Sequence, residues 1–264
     1  MLGKLIKYDL ENVNKLLVVF YIITLIFAVL TRIFLSIENS FIFDIIGKIC
    51  SGTTIALMIN TIINNIIRLW VRFKSNLYGD ESYLTHTLPV TKNQIYISKF
   101  ITSFITLFVS TLVIILTLFI AYYSKENLDF LIKVLLDPIA KIYDSSVMVI
   151  ILLFIFICFL ELFNILQAGY FGMICGHKMN SNKLLLSVVF GFIGYMILQF
   201  ILILILFVLA IFNKDIMNLF HTTGAIGIDM IKTVIWYGII GYSVLIVIGF
   251  FVNIKLFNKG VNVD

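Results

Sequence analysis

The 264-residue chain alternates between six long apolar stretches and short polar ones. The apolar stretches fall at roughly 17–37, 43–71, 95–123, 146–174, 184–212 and 232–256, and each reaches the ~20 residues an α-helix needs to cross hydrocarbon. Within them the apolar residues run on continuously. A membrane barrel would instead show alternation in segments of about ten residues. With no water in the bilayer to satisfy the backbone, continuous runs of this length must be helices. The predicted fold is an all-α integral membrane protein with six transmembrane helices, in a single transmembrane domain over 1–264. Several runs exceed what a bilayer requires, which predicts tilt or projection into the aqueous phase.

The polar ends add detail. Ahead of the first span, "MLGKLIKYDLENVNK" sets Leu2, Leu5, Ile6, Leu10 and Val13 near one helical face, with Lys4, Lys7, Glu11 and Lys15 largely elsewhere. This predicts an amphipathic helix over 1–16 lying in the membrane interface, against the alternative of a plain polar lead-in. The first run is full length and no small-residue cleavage pattern follows it, so it reads as a retained span. The segments on one side hold Lys4, Lys7, Lys15, Arg68, Arg72, Lys74, Lys92, Lys99, Lys178, Lys183, Lys255 and Lys259. The opposite side has fewer bases and more acids, which puts both termini in the cytoplasm. Of the outer connections, Ser124–Ser145 has room for a short helix around "LDFLIKVLLD". The apolar 213–231 connection reads either as an ordinary loop or as a re-entrant element covered by protein.

Composition agrees. Hydrophobic residues make up 61% and charged residues 12%, against about 25% charge in a soluble domain. The net charge of +5 follows from Lys and Arg gathered in cytoplasmic loops and does not indicate nucleic acid. Cys50, Cys158 and Cys175 form no CxxC pair and read as small packing residues. The chain has no phosphate-binding GxxxxGK[ST], no HExxH and no GxSxG. Its histidines, His86, His177 and His221, are far apart in sequence. No metal site or enzymatic constellation is indicated, and the chain itself binds no cofactor on this reading.

Polar residues within the spans fall at helical spacing. The second span carries Asn60, Asn64, Arg68 and Arg72; the third carries Lys99, Thr102, Ser103, Thr106, Ser110 and Thr117; the fourth carries Glu161, Asn164 and Gln167. The fifth has Ser187, Gly191, Gly194 and Gln199, and the sixth has Gly238, Gly241 and Ser243. Such stripes either line a substrate path or subunit interface, for which Asn60, Asn64, Glu161 and Asn164 are the candidates, or hold helices together. Arg68, Arg72 and Lys99 sit near span ends and can snorkel. Glu161 lies mid-span, where an ionised carboxylate is costly. It either contacts substrate or a partner subunit, or is a protonated acid bonded to a neighbouring helix.

The densest polar passage is "RFKSNLYGDESYLTHTLPVTKNQIYISK", between the second and third spans. Arg72, Phe73, Asn76, Leu77, Gly79, Asp80, Glu81, Tyr83, Leu84, Thr87, Leu88, Pro89, Val90, Ser98 and Lys99 match a pattern of small bacterial permeases, and the passage resembles the type-two ABC exporter class. The resemblance implies a six-span permease in the bacterial plasma membrane, two permease subunits (homo- or heterodimer) and two cytoplasmic ABC ATPase subunits that bind ATP and magnesium. It implies that 72–94 is a coupling segment seated in the ATPase, with Gly79, Asp80, Glu81, Tyr83, Leu84, Leu88 and Pro89 as its coupling residues. Gly79 permits a sharp turn, Asp80 and Glu81 suit a helix start or basic groups on the partner, Tyr83, Leu84 and Leu88 offer apolar anchors, and Pro89 stops the segment. The implied cargo is amphipathic or hydrophobic: an antimicrobial or toxin-like peptide, a lipid or a drug. A non-transporting membrane sensor or assembly subunit is the alternative.

Overall fold

The computed structural model describes residues 1–37, 40–124, 130–137, 140–141, 146–179, 182–212, 217 and 228–260. The described chain is all-helical, with six helices long and apolar enough to cross a membrane. It is an all-α multi-pass membrane protein. It packs as two compact units, Met1–Leu128 and Asp129–Asp264.

The first unit holds three long helices, α1 (Leu2–Leu35), α2 (Phe41–Leu77) and α4 (Lys92–Tyr122), and the short α3 (Ser82–Thr87). The predicted interfacial segment 1–16 is helical and runs without a break into the first span. Its expected apolar face turns inward and Lys4, Lys7, Glu11 and Lys15 stay exposed. At 1.5 Å per residue, α2 is about 55 Å long against ~30 Å of hydrocarbon, so its ends extend past the bilayer core.

α1 buries Asp9, Val13, Leu17, Tyr21, Thr24, Ala28 and Thr31, a three-and-four spacing that forms one seam. Much of that seam is polar. Thr24 bonds Thr61 at 3.2 Å and Thr31 bonds Thr54 at 2.9 Å, one heptad apart on both helices. The Ser110 hydroxyl meets Tyr21 at 2.7 Å and accepts from Asn65 Nδ2 at 2.7 Å, joining α1, α2 and α4. At the other end Ser51 bonds the Tyr122 hydroxyl at 2.8 Å, and the Arg32 guanidinium donates to the Tyr123 carbonyl.

The second unit contains a π-helical turn at Leu131–Leu136, then α5 (Val147–Gly176), α6 (Lys183–Phe212) and α7 (Ile228–Asn258). The turn falls inside the predicted "LDFLIKVLLD" helix and packs Leu136 against Ala140 and Ile150. The 213–231 connection lies largely outside the described residues. α5 and α6 touch backbone to backbone: a Cβ on Gly172 would sit 2.3 Å from the Ser187 carbonyl oxygen, and one on Gly176 2.5 Å from the Ser187 nitrogen. Only glycine permits this approach. α7 is fastened by amides. Asn164 Nδ2 donates to the Tyr242 carbonyl at 3.3 Å, Gln167 Nε2 to Ile246 at 3.3 Å, and Asn253 Nδ2 to Gln167 at 3.2 Å.

Candidate functional site

The passage that dominates the sequence reading folds as a turn, a short helix and a second turn. α2 ends at Leu77 with Tyr78 N–H bonded to the Lys74 carbonyl at 2.9 Å. Gly79 follows, but not in the left-handed region: Gly260 is the positive-φ glycine among the described residues. The turn needs room rather than unusual backbone angles, since a Cβ on Gly79 would lie 3.3 Å from both Cα and O of Ser75. α3 then runs to Thr87. Leu88 is extended at φ −62° and ψ 144°, the conformation the following Pro89 imposes. Thr91 opens α4 with a reciprocal cap: Gln94 N–H donates to Thr91 Oγ1 at 3.3 Å and Thr91 N–H to Gln94 Oε1 at 3.1 Å. The sequence T-K-N-Q carries that capping-box signal.

Inside the loop is an aromatic core. Phe73, Leu77, Tyr78 and Tyr96 are essentially fully buried, and the Phe73 ring meets the edge of Tyr96 at 6.4 Å between centroids. The matched Phe73 and Leu77 therefore hold the loop rather than face a partner.

Above that core lies a knot of four charges. Asp9 of α1 is 4% exposed and takes Lys99 Nζ on both carboxylate oxygens, at 2.7 and 2.8 Å. Arg72 Nε donates to Asp9 at 3.1 Å, and Arg72 Nη1 donates to Glu81 at 2.5 Å. Asn76 Nδ2 adds a bond to Glu81 at 3.1 Å. Two acids and two bases thus balance one another and tie α1, α2, α4 and the entry to α3 together. Burial alone would push the Glu81 carboxyl up. The hydrogen bond from Asn76 and the charges of Arg72 and Lys99 outweigh it and hold the carboxyl below its usual range.

Two expectations change here. Lys99 and Arg72 do not snorkel; they turn inward, because Asp9 on the neighbouring helix gives them a carboxylate at short range. Glu81 stands at the N-cap position of α3 but makes no side-chain cap bond, since its carboxylate is taken by Arg72 and Asn76. Asp80 is exposed and remains available to a partner. The sequence reading missed Asp9. The available signal was an acid on the same helical face as Leu2, Leu5, Ile6 and Val13.

α3 is amphipathic in reverse. Ser82 and Thr85 are buried, and His86 Nε2 pairs with the Leu77 carbonyl at 3.1 Å. Tyr83 and Leu84 are 76% and 68% exposed, Leu88 is 44% exposed, and Pro89 is exposed beside them. A soluble turn keeps its apolar side chains in; this one puts them out.

The intramembrane candidates separate. Asn60 is exposed on α2 and accepts from Asn64 Nδ2 through its side chain at 2.6 Å, while the neighbouring Asn65 faces the seam. Asn164 is 1% exposed and its amide binds the Tyr242 carbonyl. Lys99, Thr102, Ser103, Thr106, Ser110 and Thr117 are all buried within the first unit. Glu161 is half-buried and accepts from Tyr195 Oη at 2.5 Å and from Gln199 Nε2 at 3.0 and 3.4 Å. In the short basic connection after α5, Lys178 Nζ donates to the Leu256 carbonyl at 2.7 Å near the end of α7, a favourable place for a cation.

No protein-family model, curated protein or solved structure matches the chain.

Proposed function

We propose that the chain is the membrane-spanning permease subunit of an ATP-driven exporter of the ABC type-two class. On this reading it works in the bacterial plasma membrane as a pair of permeases served by separate cytoplasmic ATPase subunits. The observation that carries the reading is α3 with the turn after it, which exposes Tyr83, Leu84, Leu88 and Pro89 while Ser82 and Thr85 face inward. Exposed aromatic and aliphatic anchors in a polar rim are what a partner's cleft recognises. Asp80 supplies a charge at the rim for basic groups on that partner.

The charged knot gives this segment leverage. ATP and magnesium bind in the partner, and closure of the two ATPases moves α3. The chain from Glu81 through Arg72 and Asp9 to Lys99 passes that displacement to three long helices at once, because each link is a short charge-assisted bond. Breaking one link uncouples the lever without removing the docking face. The two roles are therefore separable by mutation.

The test is co-purification of the tagged chain from its native cells in mild detergent. Wild type is expected to bring an ATPase with it. Tyr83→Ala with Leu84→Ala is expected to lose the ATPase while the thermal midpoint of the purified chain stays unchanged. Glu81→Gln is expected to retain the ATPase. Absence of any ATPase from wild type would overturn the exporter reading and favour a membrane sensor or assembly subunit.

A further inference from the structure

Glu161 lies at the centre of α5, with fourteen residues of the helix before it and fifteen after. It is the acid furthest from a helix end among the long helices, and among the described residues no Lys or Arg pairs with it. Its carboxyl group is nevertheless well supplied with hydrogen-bond donors. Both carboxyl oxygens accept. Tyr195 Oη donates to Oε1 at 2.5 Å, and the Gln199 amide donates to Oε1 at 3.0 Å and Oε2 at 3.4 Å. Tyr242 of α7 also reaches the carboxyl. A carboxylate in hydrocarbon is costly without a counter-ion.

A second feature lies along the same helices. A cavity of about 170 Å³ is lined by Ala168 and Phe171 of α5, Ile197 and Ile201 of α6, and Ile248 and Val252 of α7. Ala168 is seven residues from Glu161, so it lies on nearly the same face of α5 and about 10 Å further along the axis. On α6, Gly194 and Leu198 of the cavity lining directly precede Tyr195 and Gln199. An apolar cavity and a carboxyl group with aromatic neighbours therefore sit within reach of one elongated molecule.

We propose that Glu161, Tyr195, Gln199 and Tyr242 form a binding site for an amphipathic cation, with the positive group at the carboxylate and the apolar body in the cavity. The carboxylate supplies the missing pair for the charge, and the two tyrosine rings add cation–π attraction. This rests on the exporter reading in one respect only: if the chain is a permease, the site names the charge and polarity of its cargo.

The probe is radiolabelled tetraphenylphosphonium, a hydrophobic cation, with tetraphenylborate as the anion of matching shape. Binding is measured to the full chain in lipid nanodiscs against empty nanodiscs. Wild type is expected to bind the phosphonium saturably and the borate not at all. Glu161→Gln keeps the hydrogen-bonding shape but not the charge, and is expected to bind at least about tenfold more weakly, the floor for losing one charge pair. Glu161→Asp is expected to restore part of the affinity, which separates charge from folding. Equal binding by wild type and Glu161→Gln, or no saturable phosphonium binding by wild type, overturns the proposal. Neither assay involves an ATPase. Phosphonium binding without ATPase co-purification sinks only the exporter reading, and ATPase co-purification without phosphonium binding sinks only this site.

Discussion

The two units of the chain solve the same problem, holding three long helices together in a solvent that gives no hydrophobic drive between them, by opposite means. The first unit uses side chains. Threonine meets threonine across α1 and α2, a serine joins three helices, and four charges close one end. The second uses the backbone. Glycines let α5 and α6 approach until Cβ atoms no longer fit, and amides reach from side chains to carbonyls on α7 and α5. Bonds between side chains can be exchanged one at a time without moving a helix, whereas a backbone contact fixes the distance between axes. The first unit also carries α3, the segment with an unpartnered apolar face. The charge-laced unit is thus the one suited to relaying motion, and the close-packed one the one suited to a fixed binding geometry.

The largest expected effect breaks the first unit. Asp9→Asn leaves Lys99 buried without its carboxylate and should destabilise the purified chain by about 3–5 kcal/mol in a denaturant titration. The double change Asp9→Leu with Lys99→Met removes both charges of that pair and leaves Arg72 on Glu81. It should recover most of the loss, because well-packed apolar residues replace a buried pair at little cost.

Next comes the second unit. Gly172→Ala drives a Cβ to within 2.4 Å of Gly191 N and should cost about 1–3 kcal/mol by forcing α5 and α6 apart. Gly191→Ala is the control. Its Cβ would meet nothing nearer than the Ala168 carbonyl oxygen at 3.5 Å, so the change should be neutral or gain up to about 1 kcal/mol from helix propensity. Equal losses from both variants would show that close approach is not what holds this unit.

A smaller effect sharpens the contrast. Thr31→Val removes one hydroxyl bond of the seam at nearly constant volume and should cost about 0.6 kcal/mol, the average for a bond between membrane helices.

The smallest effect is the pH dependence of Glu81. Its carboxyl is held below the unfolded value of 4.5, so the stability it contributes is complete above that value and is lost as pH falls through the lower, folded one. Glu81 is partly exposed, and solvent screening keeps the contribution small. Between neutral pH and pH 3, the thermal midpoint of Glu81→Gln should fall slightly less than that of wild type.

Much of this was legible in the pattern of residues. The six spans, the apolar face of residues 2–13 and the stop at Pro89 follow from period, length and the steric limits on the residue before proline. Glu161 stood out as an acid in the middle of a span. Its partners did not, because Tyr195 and Tyr242 look like ordinary amphipathic span residues until α6 and α7 are placed beside α5. Asn60 and Asn64 stood out in the stripe, yet Asn65, one position on, is the amide that faces the seam. A stripe read at four-residue steps drifts around the helix and cannot say which side meets a neighbour.

The sequence by itself determined that this is a six-span helical membrane protein with one polar, proline-ended passage between its second and third spans. Backbone satisfaction in hydrocarbon permits nothing else for runs of that length and composition. Only the tertiary structure decided what the charges of that passage do. An acid at a helix start can cap the helix, greet a partner or brace the fold, and local spacing suits all three. The choice falls to whichever opposite charge the packing brings within about 3 Å, where the attraction exceeds that of the helix dipole. Here the fold brings Arg72 to Glu81 and Asp9 to Lys99, and leaves the apolar side chains of α3 facing out.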